Sequence, residues 1–201
     1  KPVYLKAVPN LHIREIKELI DLEKEAGIVT FIYNPFTYNP HFDPFRSRYE
    51  RPFLINLRTC FEGNVIKPSH EILLLVTAMN RLVQSNYKKL DVFGSMDTID
   101  QLVISVRIEY ENGCVVNLTL SQQKTKGYCE IFQQSGMVSF EIDEPLYIQH
   151  PQLNQENMAV KNFISLILNH DTKTSSFDSL LNGVQIVHEI KEHLRFNGID
   201  F

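Results

Sequence analysis

Hydrophobic and polar residues alternate most regularly between residues 102 and 142. Ser105, Arg107 and Glu109 occupy every second position of an otherwise apolar run, which is the period of a β-strand with one solvated face. Asn112-Gly113 follows, a dipeptide that accepts the positive φ angles of a tight hairpin. The alternation predicts a four-stranded antiparallel meander, one face of which is free to pack against helices. Its strands are residues 103–110, 114–121, 128–133 and 137–142.

A strand, a helix and a second strand are predicted at the start of the chain. Residues 2–5 are mostly apolar, and residues 11–26 carry apolar side chains at helical spacing. Asn10 can cap this helix and Gly27 can end it. Because residues 28–33 are again mostly apolar, the order strand, helix, strand predicts a parallel crossover unit.

The rest of the chain predicts a connecting segment, further strands and three helices. Residues 34–52 contain four prolines interleaved with aromatic residues, so we expect a connection whose aromatic side chains pack onto the core. A helix at 68–84 is apolar nearly all round, and we expect it to lie between two layers. The other predicted elements are strands at 53–60 and 90–94 and helices at 155–169 and 177–196. The pattern predicts an α+β fold in which an open, mostly antiparallel sheet has helices on one face and follows a β-α-β unit.

Composition narrows the classes of protein that the chain can represent. Its 201 residues are 43% apolar and 22% charged, which is enough for one substantial core. A net charge of -4 without long runs of Lys or Arg argues against nucleic-acid partners. No apolar run approaches the roughly 20 residues of a membrane span and no signal pattern opens the chain, so we expect a cytoplasmic protein. Cys60, Cys114 and Cys129 are widely spaced, which favours reduced core thiols over disulfides or a metal site.

Few residues are candidates for catalysis. His188 and His193 flank a glutamate, but they are five positions apart where the zinc signature needs four, so we interpret them as part of an exposed helix face. His70 stands near the start of the apolar helix, as either a hydrogen-bonded structural residue or an acid/base group. Lys6 follows a buried strand, where its amine could meet a substrate or extend into solvent. The sequence contains no phosphate-binding loop, dinucleotide fingerprint or serine nucleophile turn.

In order and spacing, several segments resemble one family of enzymes. The segment Val3-Tyr4-Leu5-Lys6-Ala7-Val8, with the helix and strand after it, resembles the end of the Rossmann domain in the glucose-fructose oxidoreductase, inositol dehydrogenase and MocA family (Gfo/Idh/MocA). The likeness continues through five more segments and covers nearly the whole chain. They are Tyr38-Asn39-Pro40, Tyr110-Glu111-Asn112-Gly113-Cys114-Val115, Gly136-Met137-Val138, Asn162-Phe163-Ile164 and Ser175-Ser176-Phe177-Asp178.

The resemblance implies an NAD- or NADP-dependent oxidoreductase that acts on a sugar, a cyclitol or a nucleotide sugar. Residues 1–33 would be the last β-α-β unit of a Rossmann domain, and residues 34–201 a substrate-binding and assembly domain. The nucleotide fingerprint would lie upstream of Lys1 in a longer protein, so we expect no cofactor to bind this chain alone. Members of the family commonly pair subunits through the open face of the sheet, so the resemblance also implies a homo-oligomer.

The catalytic motifs of the family match this chain at one position. The Glu-Lys-Pro motif of the family falls on Lys6-Ala7-Val8, so Ala7 stands where the family has its lysine. The helix signature of Asp, Gly, His and Asp falls on a set in which only the histidine matches: Ile66, Pro68, His70 and Leu73. The resemblance thus implies His70 as the acid/base group, with Lys6 and Tyr38 lining the substrate site. The alternative is a non-catalytic relative that uses the fold for ligand binding or assembly.

Overall fold

The computed structural model describes residues 2–28, 30–38, 42, 50–61, 68–96, 102–122, 126–142, 155–168 and 176–199. Within them, a six-stranded mixed sheet carries helices on one face, and a separate two-stranded parallel sheet lies near the N-terminus. The predicted α+β class is therefore confirmed.

The described elements have the following bounds. The strands are β1 (Val3–Leu5), β2 (Thr30–Ile32), β3 (Leu54–Cys60), β4 (Tyr87–Met96), β5 (Leu102–Tyr110), β6 (Val115–Ser121), β7 (Gly127–Gln133) and β8 (Gly136–Ile142). The helices are α1 (Ile13–Ala26), α2 (Pro68–Val83), α3 (Gln155–Leu168) and α4 (Ser176–Phe196).

The predicted crossover unit is present at the start of the chain. Strands β1 and β2 pair in parallel, and α1 connects them. The helix begins at Ile13 and not after Asn10, because the backbone N–H of His12 donates to the Glu15 carboxylate at 2.7 Å and fixes the start two residues later. Gly27 ends the helix as expected, with a φ of 59° that glycine adopts without strain.

The predicted meander is wrong in its connectivity. The strand order of the large sheet is β4-β5-β6-β3-β7-β8, so β3 lies between β6 and β7, parallel to the first and antiparallel to the second. The turn dipeptides Asn112-Gly113 and Ser135-Gly136 do join the two hairpins. The sequence between β6 and β7 contains no such dipeptide, and β3, from earlier in the chain, separates these two strands in the sheet. Strand β4 is also longer than the expected residues 90–94.

Helices α2 and α4 cover one face of the large sheet. Alternate residues of β5, including Ile104, Val106 and Ile108, are buried beneath them. A Cβ atom at Gly94 of β4 would collide with the Leu194 side chain of α4 and lie 2.6 Å from Ile199 Cδ1, so glycine there permits close packing. We call this side of the sheet the covered face. The segment after β2 also packs down as predicted, since Phe36, Tyr38 and Phe42 are buried, whereas Phe45 lies outside the described residues.

The opposite side of the sheet, which we call the open face, carries the intervening side chains. No described helix or strand covers it. It includes Leu54, Asn56, Arg58, Lys89, Asp91, Phe93, Ser95, Val103, Ser105, Arg107, Glu109, Val115, Asn117, Thr119, Tyr128, Glu130, Phe132, Met137, Ser139 and Glu141.

Candidate functional site

His70 lies in the first turn of α2. Its side chain is half-buried, and burial lowers the pKa of the imidazole below its usual value. The ring is therefore neutral at pH 7 and able to accept a proton. Leu73, at the position of a family acid, is instead part of the hydrophobic core, and Ile66 lies outside the described residues.

Glu71 follows His70 and is a chemically notable residue that our sequence reasoning missed. Its side chain is only 1% exposed, and neither carboxylate oxygen has a hydrogen-bond partner among the described residues. Burial raises the pKa of this carboxyl to about 7. A signal was present, because Glu71 is the one acidic residue of a helix that is otherwise apolar on its buried side. Buried, unpaired carboxyls are rare and are often functional.

The turn that follows β2 is hydrogen-bonded to α2. The Asn34 side chain accepts a hydrogen bond from the Phe36 N–H at 3.0 Å and donates one to the Leu74 carbonyl at 2.9 Å. Leu74 lies four residues, or about one helical turn, after His70. The turn at residues 34–38 is therefore held against α2 at Leu74, about one helical turn after His70.

Tyr38 lies in a cluster of rings, which we call the aromatic cluster, and not on an open surface. It is 1% exposed, and its hydroxyl accepts a hydrogen bond from the Asn162 amide of α3 at 3.4 Å. The guanidinium of Arg81 lies 5.8 Å from the centre of its ring. The cluster consists of Tyr4, Phe31, Tyr33, Tyr38 and Phe163.

Lys6 follows β1, and its amine forms an ion pair with Glu156 of α3 at 3.4 Å. The Lys6 side chain is 81% exposed, so this pair holds it only weakly. Burial and, to a lesser extent, the charge of Glu156 raise the pKa of Tyr4 to about 12. Neither the Tyr4 nor the Tyr33 hydroxyl has a hydrogen-bond partner in the described part of the chain, and burial raises the pKa of Tyr33 as well, so both hydroxyls remain protonated.

The structure thus brings two of the three predicted site residues to one helix. Lys6 and Tyr38 each contact α3, through Glu156 and Asn162. His70 is on α2, which reaches the same turn through Leu74 and Asn34. In the described part of the chain, no group of three or more His, Cys, Asp or Glu side chains could hold a metal ion. His188 and His193 are both exposed on α4. None of the described helices is both long and apolar enough to cross a membrane.

The connection from β1 to α1 does not fit a dinucleotide. A pyrophosphate is held by glycine-rich turns between a strand and a helix, where backbone N–H groups approach it closely. Residues 6–12 of this chain connect such a strand and helix but contain no glycine. We therefore assign no nucleotide contact to this connection.

The fold is similar to solved structures of dehydrogenases. A dehydrogenase from Chromobacterium violaceum matches with a TM-score of 0.73 and 12% identity, over 96% of this chain and 69% of that chain. UDP-N-acetylglucosamine 3-dehydrogenase GnnA from Acidithiobacillus ferrooxidans matches with a TM-score of 0.71 and 14% identity, over 90% and 67%. GenD2 from gentamicin A biosynthesis, solved in complex with NAD, matches with a TM-score of 0.70 and 11% identity, over 98% and 70%. At these identities the likeness shows the fold alone. No protein-family model matches the sequence, and no curated protein sequence matches it.

Proposed function

We propose that this chain belongs to an NAD- or NADP-dependent oxidoreductase of the Gfo/Idh/MocA type that acts on a sugar, a cyclitol or a nucleotide sugar. The supporting observation is the shared fold, which extends over 90 to 98% of the chain in the GnnA and GenD2 structures. In this proposal residues 1–33 end a nucleotide-binding domain, and residues 34–201 form the substrate-binding and assembly domain. The cofactor is then bound by a part of the protein outside this chain.

His70 is the proposed acid/base group. An alcohol is oxidised when its hydroxyl proton leaves as its hydride is transferred, and a bound nicotinamide supplies the hydride acceptor. A neutral imidazole can take that proton at its free nitrogen, and the lowered pKa of His70 keeps it neutral at pH 7. The Lys6 side chain is 81% exposed, so in this proposal its amine extends toward the substrate from the end of β1. In this proposal Tyr38 forms the wall behind the substrate.

Steady-state kinetics of the full-length protein tests the proposal. We expect reduction of NAD or NADP with at least one substrate from a panel of sugars, cyclitols and nucleotide sugars. His70→Asn should lower kcat about 10²- to 10⁴-fold, the usual contribution of an acid/base group. His188→Asn changes a histidine on the exposed side of α4 and serves as the matched control. Turnover that survives in the His70 variant would remove His70 from the mechanism.

The alternative function is non-catalytic ligand binding or assembly. It is favoured by Ala7 at the position of the family lysine and by the core location of Leu73. Under this alternative, no polyol or sugar supports cofactor reduction by the full-length protein, although ligands still bind. Cofactor reduction that depends on His70 would exclude it.

We further propose that the protein self-associates through the open face. Large apolar side chains are exposed at this face and its margins, among them Phe93 at 69%. Exposed apolar patches on a sheet mark interaction surfaces, and a second copy offers the same patch in return. Sedimentation at increasing concentration should show a dimer or larger oligomer, and a monomer at every concentration would contradict the proposal.

A further inference from the structure

A cavity lies along the half of α2 that is remote from His70. Its volume is about 810 Å³, a size that accommodates small-molecule ligands. Its walls are the second half of α2, the turn after α2, the start of α4 and the residues around β2. Thirteen of its 17 lining residues are polar or charged, so it is not a gap in the hydrophobic core.

One wall of this cleft is a polar stripe on an otherwise apolar helix. Three of its members are spaced i, i+3 and i+4, which puts them on one side of α2, and the fourth follows the end of the helix. They are Thr77, Asn80 and Arg81, followed by Gln84. Neighbouring hydrogen bonds hold part of the stripe in place, since Thr77 donates to the Leu73 carbonyl at 2.7 Å and Asn80 accepts from the Tyr110 hydroxyl at 2.7 Å. Because these residues are polar, the sequence does not predict that this side of α2 packs into the hydrophobic core.

Arg81 is the cation of the cleft. Its guanidinium lies 5.9 Å from the ring centre of Phe31 and 5.8 Å from that of Tyr38, which restricts its orientation. Arg81 forms no ion pair or hydrogen bond with any residue that the structure describes. Its planar fork of donors is therefore available to a carboxylate or a phosphate.

Gln84 adopts a backbone conformation that favours glycine. Its φ is 54°, and it is the only non-glycine residue of the described chain with a positive φ. A glycine at the end of α2 would relieve this strain. The glutamine side chain instead lines the cleft. Strain that is retained where a side chain faces a cavity indicates a role for that side chain.

Hydrogen-bonding donors and acceptors also line the cleft. The first two turns of α4 contribute Asp178 and Asn182, and Glu111 and Asn86 line it as a hydrogen-bonded pair. Carboxylates accept hydrogen bonds from hydroxyls, and amides both donate and accept. We propose that this cleft binds a small polyhydroxylated molecule that carries one carboxylate or phosphate group, with the anion on Arg81 and the hydroxyls on Gln84, Asp178 and Asn182.

Isothermal titration calorimetry of the full-length protein without nucleotide tests the proposal. The probes are gluconate, glucose 6-phosphate, glucose and inorganic phosphate. We expect gluconate or glucose 6-phosphate to bind, and whichever of them binds more tightly identifies the anion. Glucose and inorganic phosphate should bind at least tenfold more weakly than that probe. The proposal is overturned if neither gluconate nor glucose 6-phosphate binds. It is also overturned if inorganic phosphate binds as tightly as glucose 6-phosphate.

Variants separate this cleft from other sites. Arg81→Gln should weaken binding at least tenfold, whereas Arg14→Gln, which removes an exposed arginine of α1, should leave it unchanged. His70→Asn should also leave it unchanged, so failure of the catalytic proposal does not affect this result. Full affinity in Arg81→Gln overturns the proposal. If that variant does not fold, Arg81→Lys keeps the charge but loses the fork, and binding should still weaken.

Gln84→Gly distinguishes a ligand contact from a structural role. Relief of the strained backbone should raise Tm by about 2 to 4 °C. Loss of the glutamine side chain should weaken binding about two- to tenfold, the range expected for one hydrogen bond. A variant that is more stable and binds as tightly as the wild type would remove Gln84 from the site.

Discussion

The two faces of the large sheet are built from the same strands but have opposite chemistry. On β5 the side chains of Ile104, Val106 and Ile108 are fully buried beneath α2 and α4, while Ser105 and Arg107 between them reach the open face. Removal of apolar surface from water stabilises the fold on the covered face. The open face adds little to stability in this chain and is available for contacts with other molecules. The alternation of side chains along each strand thus produces two surfaces with separate roles.

Charged groups show the same difference. On the open face Arg107 pairs with Glu109 at 3.2 Å, and both side chains remain at least one-third exposed. Such a pair contributes only about 0.2 to 1 kcal/mol and imposes no desolvation cost. On α2, which packs on the covered face, Glu71 is buried without a partner and carries a raised pKa. A charged side chain thus has little effect on the free energy of folding on the open face, whereas it destabilises the fold where it is buried on the covered face.

Removal of a core side chain from the covered face should lower the stability of the fold more than any other change proposed below. Leu118→Ala should lower the free energy of unfolding by about 2 to 5 kcal/mol, because Leu118 is 1% exposed and its removal leaves a cavity. Thr119→Ala, one residue later on the open face, should change it by less than about 0.5 kcal/mol. Urea denaturation of both variants measures the difference. Equal losses would show that the open face is also buried in solution.

The next largest effect is a dependence of the stability of the fold on pH, which Glu71 causes. Its carboxyl keeps its proton up to about pH 7 in the folded protein, but loses it near the ordinary value of 4.5 when the chain unfolds. The folded state therefore binds more protons between these values, and its stability falls as pH rises from 4.5 to 7, by at most about 3 kcal/mol. Glu71→Gln should remove this fall and should be more stable than the wild type at pH 8.

The control for this experiment is another buried glutamate. Glu23 is buried but accepts a hydrogen bond from the Thr30 N–H at 2.9 Å, so Glu23→Gln removes a carboxyl that already has a partner. Chemical denaturation between pH 4.5 and 8 should show the fall in stability in the Glu23 variant and not in the Glu71 variant. A fall of the same size in both variants would assign it to other groups.

A smaller effect is expected where the helix layer approaches the sheet most closely. Gly94→Ala places a methyl group against Leu194 and Ile199, and we expect a loss of about 1 to 3 kcal/mol from overpacking. Ser95→Ala, at the next position, points to the open face and should have almost no effect. Thermal unfolding of the two variants measures the difference. A Gly94 variant as stable as the wild type would mean that α4 can shift away from β4.

The sequence predicts the faces of the strands better than their neighbours. Alternation is local, so the covered residues of β5 and the hairpin at Asn112-Gly113 could be read directly. The position of β3 in the sheet could not be predicted, because its partners in β6 and β7 are 61 to 78 residues away in the chain. Nothing in the local pattern of β3 specifies a parallel or an antiparallel neighbour.

Only part of the candidate site could be predicted from the sequence, again because the rest depends on residues that are distant in the chain. His70 is predicted from its place near the start of an apolar helix and from a family motif, and its half-buried position at the start of α2 agrees with the helix that the sequence predicts. Glu71 was missed, because burial of a charged residue depends on which side of the helix faces the sheet. The environment of Tyr38 was equally inaccessible, since its contact with Asn162 joins residues 124 positions apart.

The smallest expected effect on stability concerns a row of polar residues across the open face. Arg107, Asn117, Asn56 and Glu130 lie side by side on β5, β6, β3 and β7. Asn117 donates to Asn56 at 2.8 Å, and Asn56 donates to Glu130 at 3.1 Å. Two copies could pack with their open faces together, related by a two-fold axis that runs parallel to the strands and passes between Asn117 and Asn56. In that arrangement, Arg107 of each copy faces Glu130 of the other.

Charge reversal tests this arrangement of a dimer. Arg107→Glu and Glu130→Arg should each change the stability of the monomer by less than about 1 kcal/mol. Because two-fold symmetry places each pair twice in the interface, either change should weaken self-association roughly tenfold or more at low salt. The double variant restores opposite charges across the axis, so it should recover most of the affinity, as sedimentation equilibrium can measure. Self-association that is insensitive to both single reversals would place the dimer contact elsewhere, and the open face would then need another partner.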